Sequence, residues 1–165
     1  MKHPIDNIRW VEAEALKAND YNPNVVLNQE LKLLEFSILQ QGWIQPILIT
    51  PDGTIIDGFH RATLGKNSAQ IREKFGSKVP CVVMELTEAE RKLLTIRINR
   101  AKGTHLAFKM AEIVKSLIEE HGMSPKAVGE AIGADKAEID LLMQDDVFKK
   151  LDIQNHKYSK AWIPK

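Results

Sequence analysis

Apolar positions change their period several times along the chain, and each change marks an element. Trp10-Val11, flanked by polar residues, reads as a short first strand. Residues 16–24 form a loop rich in Asn, Asp and Pro. Over 28–41, Leu31, Leu34, Ile38 and Leu39 recur at helical spacing; Asn28 can cap that helix and Gly42 ends it. Residues 45–50 are an apolar strand, Pro51-Asp52-Gly53 a tight turn, and Thr54-Ile55-Ile56-Asp57 the paired strand. A helix opens at about Phe59 and continues into a polar, basic segment, 66–78. Residues 79–85 are a third apolar strand, of the buried type. Thr87 and Glu90 make a capping box for a helix that carries Leu93, Leu94, Ile96 and Ile98.

After Gly103 the pattern is wholly helical. Ala107, Met110, Ile113, Val114, Leu117 and Ile118 share one face of a helix over 106–121, which Gly122 stops. Ser124 caps a short helix through Ile132, with Pro125 in its first turn. Gly133 turns the chain into a last helix over 135–143. Residues 123–143 fit helix-turn-helix spacing, with Val128, Ile132, Ile139 and Leu142 inward and Gly129 as the small contact residue. The pattern therefore predicts an α+β chain in three parts. These are a strand-and-helix domain over 1–104, an all-helical, helix-turn-helix-like subdomain over 105–150, and a tail over 151–165.

Composition narrows the classes. The chain has 165 residues, 44% hydrophobic and 27% charged, so a packed core is expected. Its 23 basic and 22 acidic residues leave a formal charge of +1, so any pull toward nucleic acid comes from a local patch. Cys81 is the single cysteine, which excludes an internal disulfide and a multi-cysteine zinc site; on an apolar strand it reads as a buried small hydrophobe. No apolar run approaches 18 residues, so the expectation is a cytoplasmic protein with no membrane partner. Trp10 and Trp43 read as core or pocket wall.

The candidate chemistry lies where a strand becomes a helix. Thr54-Ile55-Ile56-Asp57 empties through Gly58 into Phe59-His60-Arg61-Ala62. A glycine there lets backbone N–H groups approach an anion, and a helix N-terminus offers it unpaired donors and partial positive charge. His60 and Arg61 add side chains suited to phosphate. In the competing reading, Gly58 merely closes a hairpin and His60 and Arg61 lie on a solvated helix face. Asp57 is a candidate base or metal ligand, with a backbone cap as the alternative; Asp20 is the second candidate base.

Gly42, Gln45-Pro46-Ile47, the hairpin and Asp57-Gly58-Phe59-His60-Arg61-Ala62 together resemble the N-terminal domain of the ParB and sulfiredoxin superfamily. The loop Asp20-Tyr21-Asn22-Pro23-Asn24 and the strand carrying Pro80, Val82 and Val83 extend the resemblance over about residues 8–104. It implies a small mixed sheet with flanking helices and a nucleotide held at the strand-to-helix turn: CTP as in ParB, or ATP or ADP as in sulfiredoxin and free-serine kinases. Gly58 and the N–H groups of Phe59 to Ala62 would cradle the phosphates, with His60 and Arg61 contacting them by side chain. Gln45 and Pro46 would line the pocket. Asn99, Arg100, Gly103, Thr104 and His105 resemble the element that closes over the triphosphate and its Mg²⁺, Asn99 and Arg100 matching best; a polar interhelical linker is the alternative reading.

Three departures refine this. Phe59 stands where sulfiredoxin needs its cysteine, which excludes that chemistry, because a phenyl ring cannot attack a sulfinyl phosphate. His60 replaces an arginine of ParB, and the segment around Asn99 lacks ParB's acidic residue. The chain looks closer to phage- and prophage-associated ParB-like proteins, including IbrB-type co-activators, than to partition ParB. The expected function is an NTP-dependent regulator or DNA-associated switch. The alternatives are an NTPase (ATPase or CTPase) or phosphotransferase related to free-serine kinase, and a DNA-binding co-regulator without nucleotide turnover. DNA would meet the helical subdomain or the basic tail; because Asp135, Glu138 and Asp140 make the second helix of the helix-turn-helix unit acidic, a helical subdomain that keeps the packing without DNA contact is the alternative. A homodimer is a further expectation.

Overall fold

The structure, a computed structural model, describes residues 3–19, 28–101 and 107–144. Its elements are β1 (Ile8–Glu12), α1 (Asn28–Gln41), β2 (Ile47–Ile49), β3 (Ile55–Asp57), α2 (Phe59–Asn67), α3 (Ala69–Phe75), β4 (Lys78–Val83), α4 (Glu88–Ala101), α5 (Ala107–Glu119), α6 (Pro125–Ile132) and α7 (Lys136–Leu142), with short 3-10 turns at Pro4–Asn7 and Ala13–Ala15. The chain divides into two compact units, Met1–His105 and Leu106–Lys165.

The first unit is built on a mixed four-stranded sheet of order β1-β4-β2-β3. β2 and β3 pair antiparallel, as a hairpin must, and the pairing shifts register between Leu48 and Ile49. β2 and β4 pair parallel, with Ile47 opposite Cys81 and Ile49 opposite Val83. The crossover between them holds α2 and α3. Ile47, Ile49, Ile55, Val79 and Cys81 bury with Ala62 in one core, and Ile38, Leu64 and Ile71 form a second beside it. Trp43 packs against both, as its sequence context suggests. α2 lies close on the sheet because residue 65 is glycine: a Cβ there would sit 2.3 Å from Val79 Cγ1. α4 packs against β3, where the Thr95 hydroxyl, 3.0 Å from the Arg91 carbonyl of its own helix, also lies 3.4 Å from the Ile56 carbonyl.

Several expectations need correction. Trp10 is 56% exposed, because β1 is the outer strand of the sheet and pairs only with β4 among the described residues. The strand expected over 45–50 is shorter, Ile47–Ile49, with Gln45 exposed before it. The basic stretch 66–78 is largely helical: α2 ends at Asn67, Ser68 caps α3 by accepting from the Ile71 N–H, and Glu35 accepts from the Ser68 hydroxyl. Lys66 and Arg72 approach Glu14 at 3.3 and 3.9 Å, Lys78 approaches Glu12 at 3.9 Å, and Lys74 donates to the Leu39 carbonyl at 2.6 Å. The capping box is present: the Thr87 N–H donates to Glu90 at 2.8 Å and the Glu90 N–H to Thr87 Oγ1 at 3.3 Å.

The second unit is helical among the described residues. Met110, Ile113, Val114 and Leu117 of α5 bury with Val128 and Ile132 of α6 and Ile139 and Leu142 of α7. Ser124 and Asp135 cap α6 and α7 through their side chains. A Cβ on Gly129 would meet the Ala134 carbonyl at 2.9 Å, so a small residue is required where the two helices join. The tail 151–165 lies outside the described residues.

Candidate functional site

The site begins with the backbone of Gly58. Its φ of 92° and ψ of 27° are left-handed, a conformation that an L side chain resists and that turns β3 straight into α2. A Cβ there would also sit 3.1 Å from Arg61 Nη2 and 3.3 Å from Ile47 Cα. Glycine occupies the N-cap position and brings no capping side chain, in contrast to Ser68, Ser124 and Asp135 at three other helices. The first helical bond runs from the Ala62 N–H to the Gly58 carbonyl at 3.0 Å. Ala62 therefore has no N–H to offer a ligand. The donors that the helix geometry leaves at this end belong to the first turn, Phe59 to Arg61.

Arg61 lies over this turn. Its Nη1 donates to the Pro46 carbonyl at 2.5 Å and its Nη2 pairs with Asp57 Oδ2 at 3.2 Å. Both side chains of that pair are nearly buried, at 12% and 13% exposure. Burial pushes the guanidinium below its usual pKa, and the Asp57 carboxylate acts the other way by charge and hydrogen bond. One side chain ties together Pro46, the residue before β2, Asp57 at the end of β3, and α2, which carries Arg61.

Beside the turn is a small pocket. Asn19, Asp57, Gly58, Phe59, Thr95 and Asn99 line it with the β3 isoleucines, and the space of about 10 Å³ has room for about one water. Asn19 Nδ2 donates to the Ile55 carbonyl at 2.6 Å, while its Oδ1 is buried without a hydrogen-bond partner among the described residues. Thr95 and Asn99 are both buried and stand one turn apart on α4. Sequence reasoning missed Asn19 and Thr95. A signal was present: Lys92, Thr95 and Asn99 put polar groups on one side of a helix that otherwise buries Leu93 and Ile96.

The expected site residues are brought together in part. Asp57, Gly58, Phe59 and Asn99 share the pocket. Gln45 and Pro46 do not line it; Gln45 is exposed, and Pro46 contributes its carbonyl to Arg61. Arg100 is half-buried in the last turn of α4, so Asn99 and Arg100 are helical residues rather than parts of a loop. His60 is half-buried in the first turn of α2. Asp20, Gly103, Thr104 and His105 lie outside the described residues. Among the described residues, no three His, Cys, Asp or Glu side chains cluster to hold a metal ion.

A mixed sheet, a left-handed glycine at the strand-to-helix turn and a polar pocket against α4 define a class. The chain belongs to the ParB N-terminal domain family, whose pattern covers residues 2–99. It is 37% identical over 168 residues to the uncharacterized protein YbdM of Escherichia coli K12, an alignment spanning 99% of this chain and 79% of that one. It is 28% identical over 128 residues to the chromosome-partitioning protein ParB of Myxococcus xanthus DK1622, spanning 76% of this chain but only 42% of that protein. Among solved structures, C-terminally truncated ParB from Caulobacter crescentus, complexed to the centromeric parS site, shares the fold. Its TM-score is 0.56 at 22% identity, over 87% of this chain and 77% of that one.

Proposed function

We propose that this chain is a nucleotide-binding ParB-like regulator whose ligand places its phosphates at the Gly58 turn. The observation that carries this reading is the left-handed, side-chain-free N-cap at Gly58, which opens α2 beside the polar pocket. Helix-terminus donors and the helix dipole favour an anion there. The enclosed space admits about one water, so the phosphates would lie on the open side of the turn, next to His60, with Asn19, Thr95 and Asn99 behind it. CTP and ATP are both candidates, and Mg²⁺ would travel with the triphosphate. Occupancy would bias a two-state equilibrium only through contacts made better in one state than in the other. Turnover would need a carboxylate base; Asp57 is engaged by Arg61, which favours a binding role over hydrolysis. DNA binding by the helical unit would be a separate property, opposed locally by Glu138 and Asp140 on α7.

Calorimetry with CTP, ATP and ADP, each with and without Mg²⁺, tests the reading. Saturable binding of a nucleotide that Gly58→Ala abolishes is the expected result. No heat with any of them would remove the proposal.

A further inference from the structure

We infer that Arg61 is a positioning residue and not a ligand contact: held by Asp57 and the Pro46 carbonyl, it fixes the Gly58 turn so that the first-turn donors of α2 stay aimed. This rests on the nucleotide reading of the turn. Guanidinium beside a phosphate-binding turn ordinarily suggests a direct charge contact. Here the fork already has two acceptors, at 2.5 and 3.2 Å, in a nearly buried pair. A phosphate would have to compete with a carboxylate and a carbonyl for it. The close approach of Nη2 to Gly58 makes the pair part of the turn itself, since a side chain at position 58 would meet the guanidinium. Neither residue was legible in this role from the sequence. Asp57 is a strand residue, so the spacing of four does not by itself make it a neighbour of Arg61; the two meet across the left-handed turn at Gly58.

The two roles predict opposite signs for one substitution. If Arg61 contacts phosphate, Asp57→Ala releases it from a competitor and binding tightens. If Arg61 positions the turn, Asp57→Ala loosens the turn and binding weakens.

Nucleotide affinity is measured by calorimetry on the full chain for Asp57→Ala, Arg61→Gln, Arg61→Lys and the double variant. Asp57→Ala and Arg61→Gln are each expected to weaken affinity about tenfold, and the double variant no more than the stronger single, because both remove the same tie. Arg61→Lys is expected not to restore affinity, since an ammonium lacks the fork that reaches both acceptors. Unchanged or tighter binding in Asp57→Ala overturns the inference, as does additive loss in the double variant. If a melting curve shows that Asp57→Ala does not fold, the near-isosteric Asp57→Asn carries the same sign test.

If the wild-type chain binds no nucleotide, the functional reading fails on its own. The tie is then judged in the ligand-free protein by amide hydrogen exchange. Faster exchange at the α2 N-terminus in Arg61→Gln, with α3 unchanged, supports it; unchanged exchange at α2 overturns it.

Discussion

At Gly58 a backbone requirement and a packing requirement fall on one residue. The positive φ excludes most side chains, and the guanidinium of Arg61 fills the space a Cβ would need. Gly58→Ala is expected to destabilise the protein by about 1–3 kcal/mol through left-handed strain and displacement of Arg61, read as a lower denaturant midpoint. Asp52, in the β2–β3 turn, illustrates a different residue-scale effect. Hydrogen bonds from Thr50 and from Thr54, the latter at 2.8 Å, lower its pKa from 3.8 to about 2. A folded-state pKa below the unfolded value means that the stabilisation is complete above about 3.8 and is lost as pH falls toward 2. An NMR pH titration of the Asp52 carboxyl should give a midpoint near 2, and Asp52→Asn should remove that part of the acid sensitivity. Cys81 is fully buried in β4, and burial pushes its thiol up to about 11. A thiol reagent is expected to label it slowly in the native state and rapidly in denaturant.

Between elements, the contact of α2 with β4 is tightest at Gly65. With Val79 Cγ1 2.3 Å from a would-be Cβ, Gly65→Ala forces the helix off the strand, at an expected cost of about 1–3 kcal/mol by thermal or denaturant melting. This contact also bears on what the sequence could reveal. Local chemistry was readable: Thr87 with Glu90, Ser124 with Pro125, and the Asp57-Gly58 exit all act within a few residues of themselves. Partners distant in sequence were not. Lys66 and Arg72 read only as part of a polar, basic segment until Glu14 is placed beside them. Trp10 looks like core until β1 takes the outer position, where alternation specifies two faces but not which one is covered. The tie of Arg61 to the Pro46 carbonyl, 15 residues back along the chain, has no local signal in the sequence.

For the whole molecule, the division at His105 and Leu106 gives each unit its own buried set: the sheet cores in one, α5 to α7 in the other. A fragment of residues 1–105 is therefore expected to keep a cooperative melting transition, monitored by circular dichroism. Among the described residues, no helix is long and apolar enough to cross a membrane. Nucleotide binding, as proposed at the Gly58 turn, is localised enough for a site-resolved test. In a ¹⁵N-NMR titration of the full chain with CTP and with ATP in the presence of Mg²⁺, saturable shifts are expected, largest at the amides of Gly58, Phe59, His60 and Arg61 and at the Asn19 side chain. Saturable shifts centred elsewhere, or none with either nucleotide, would contradict the proposal.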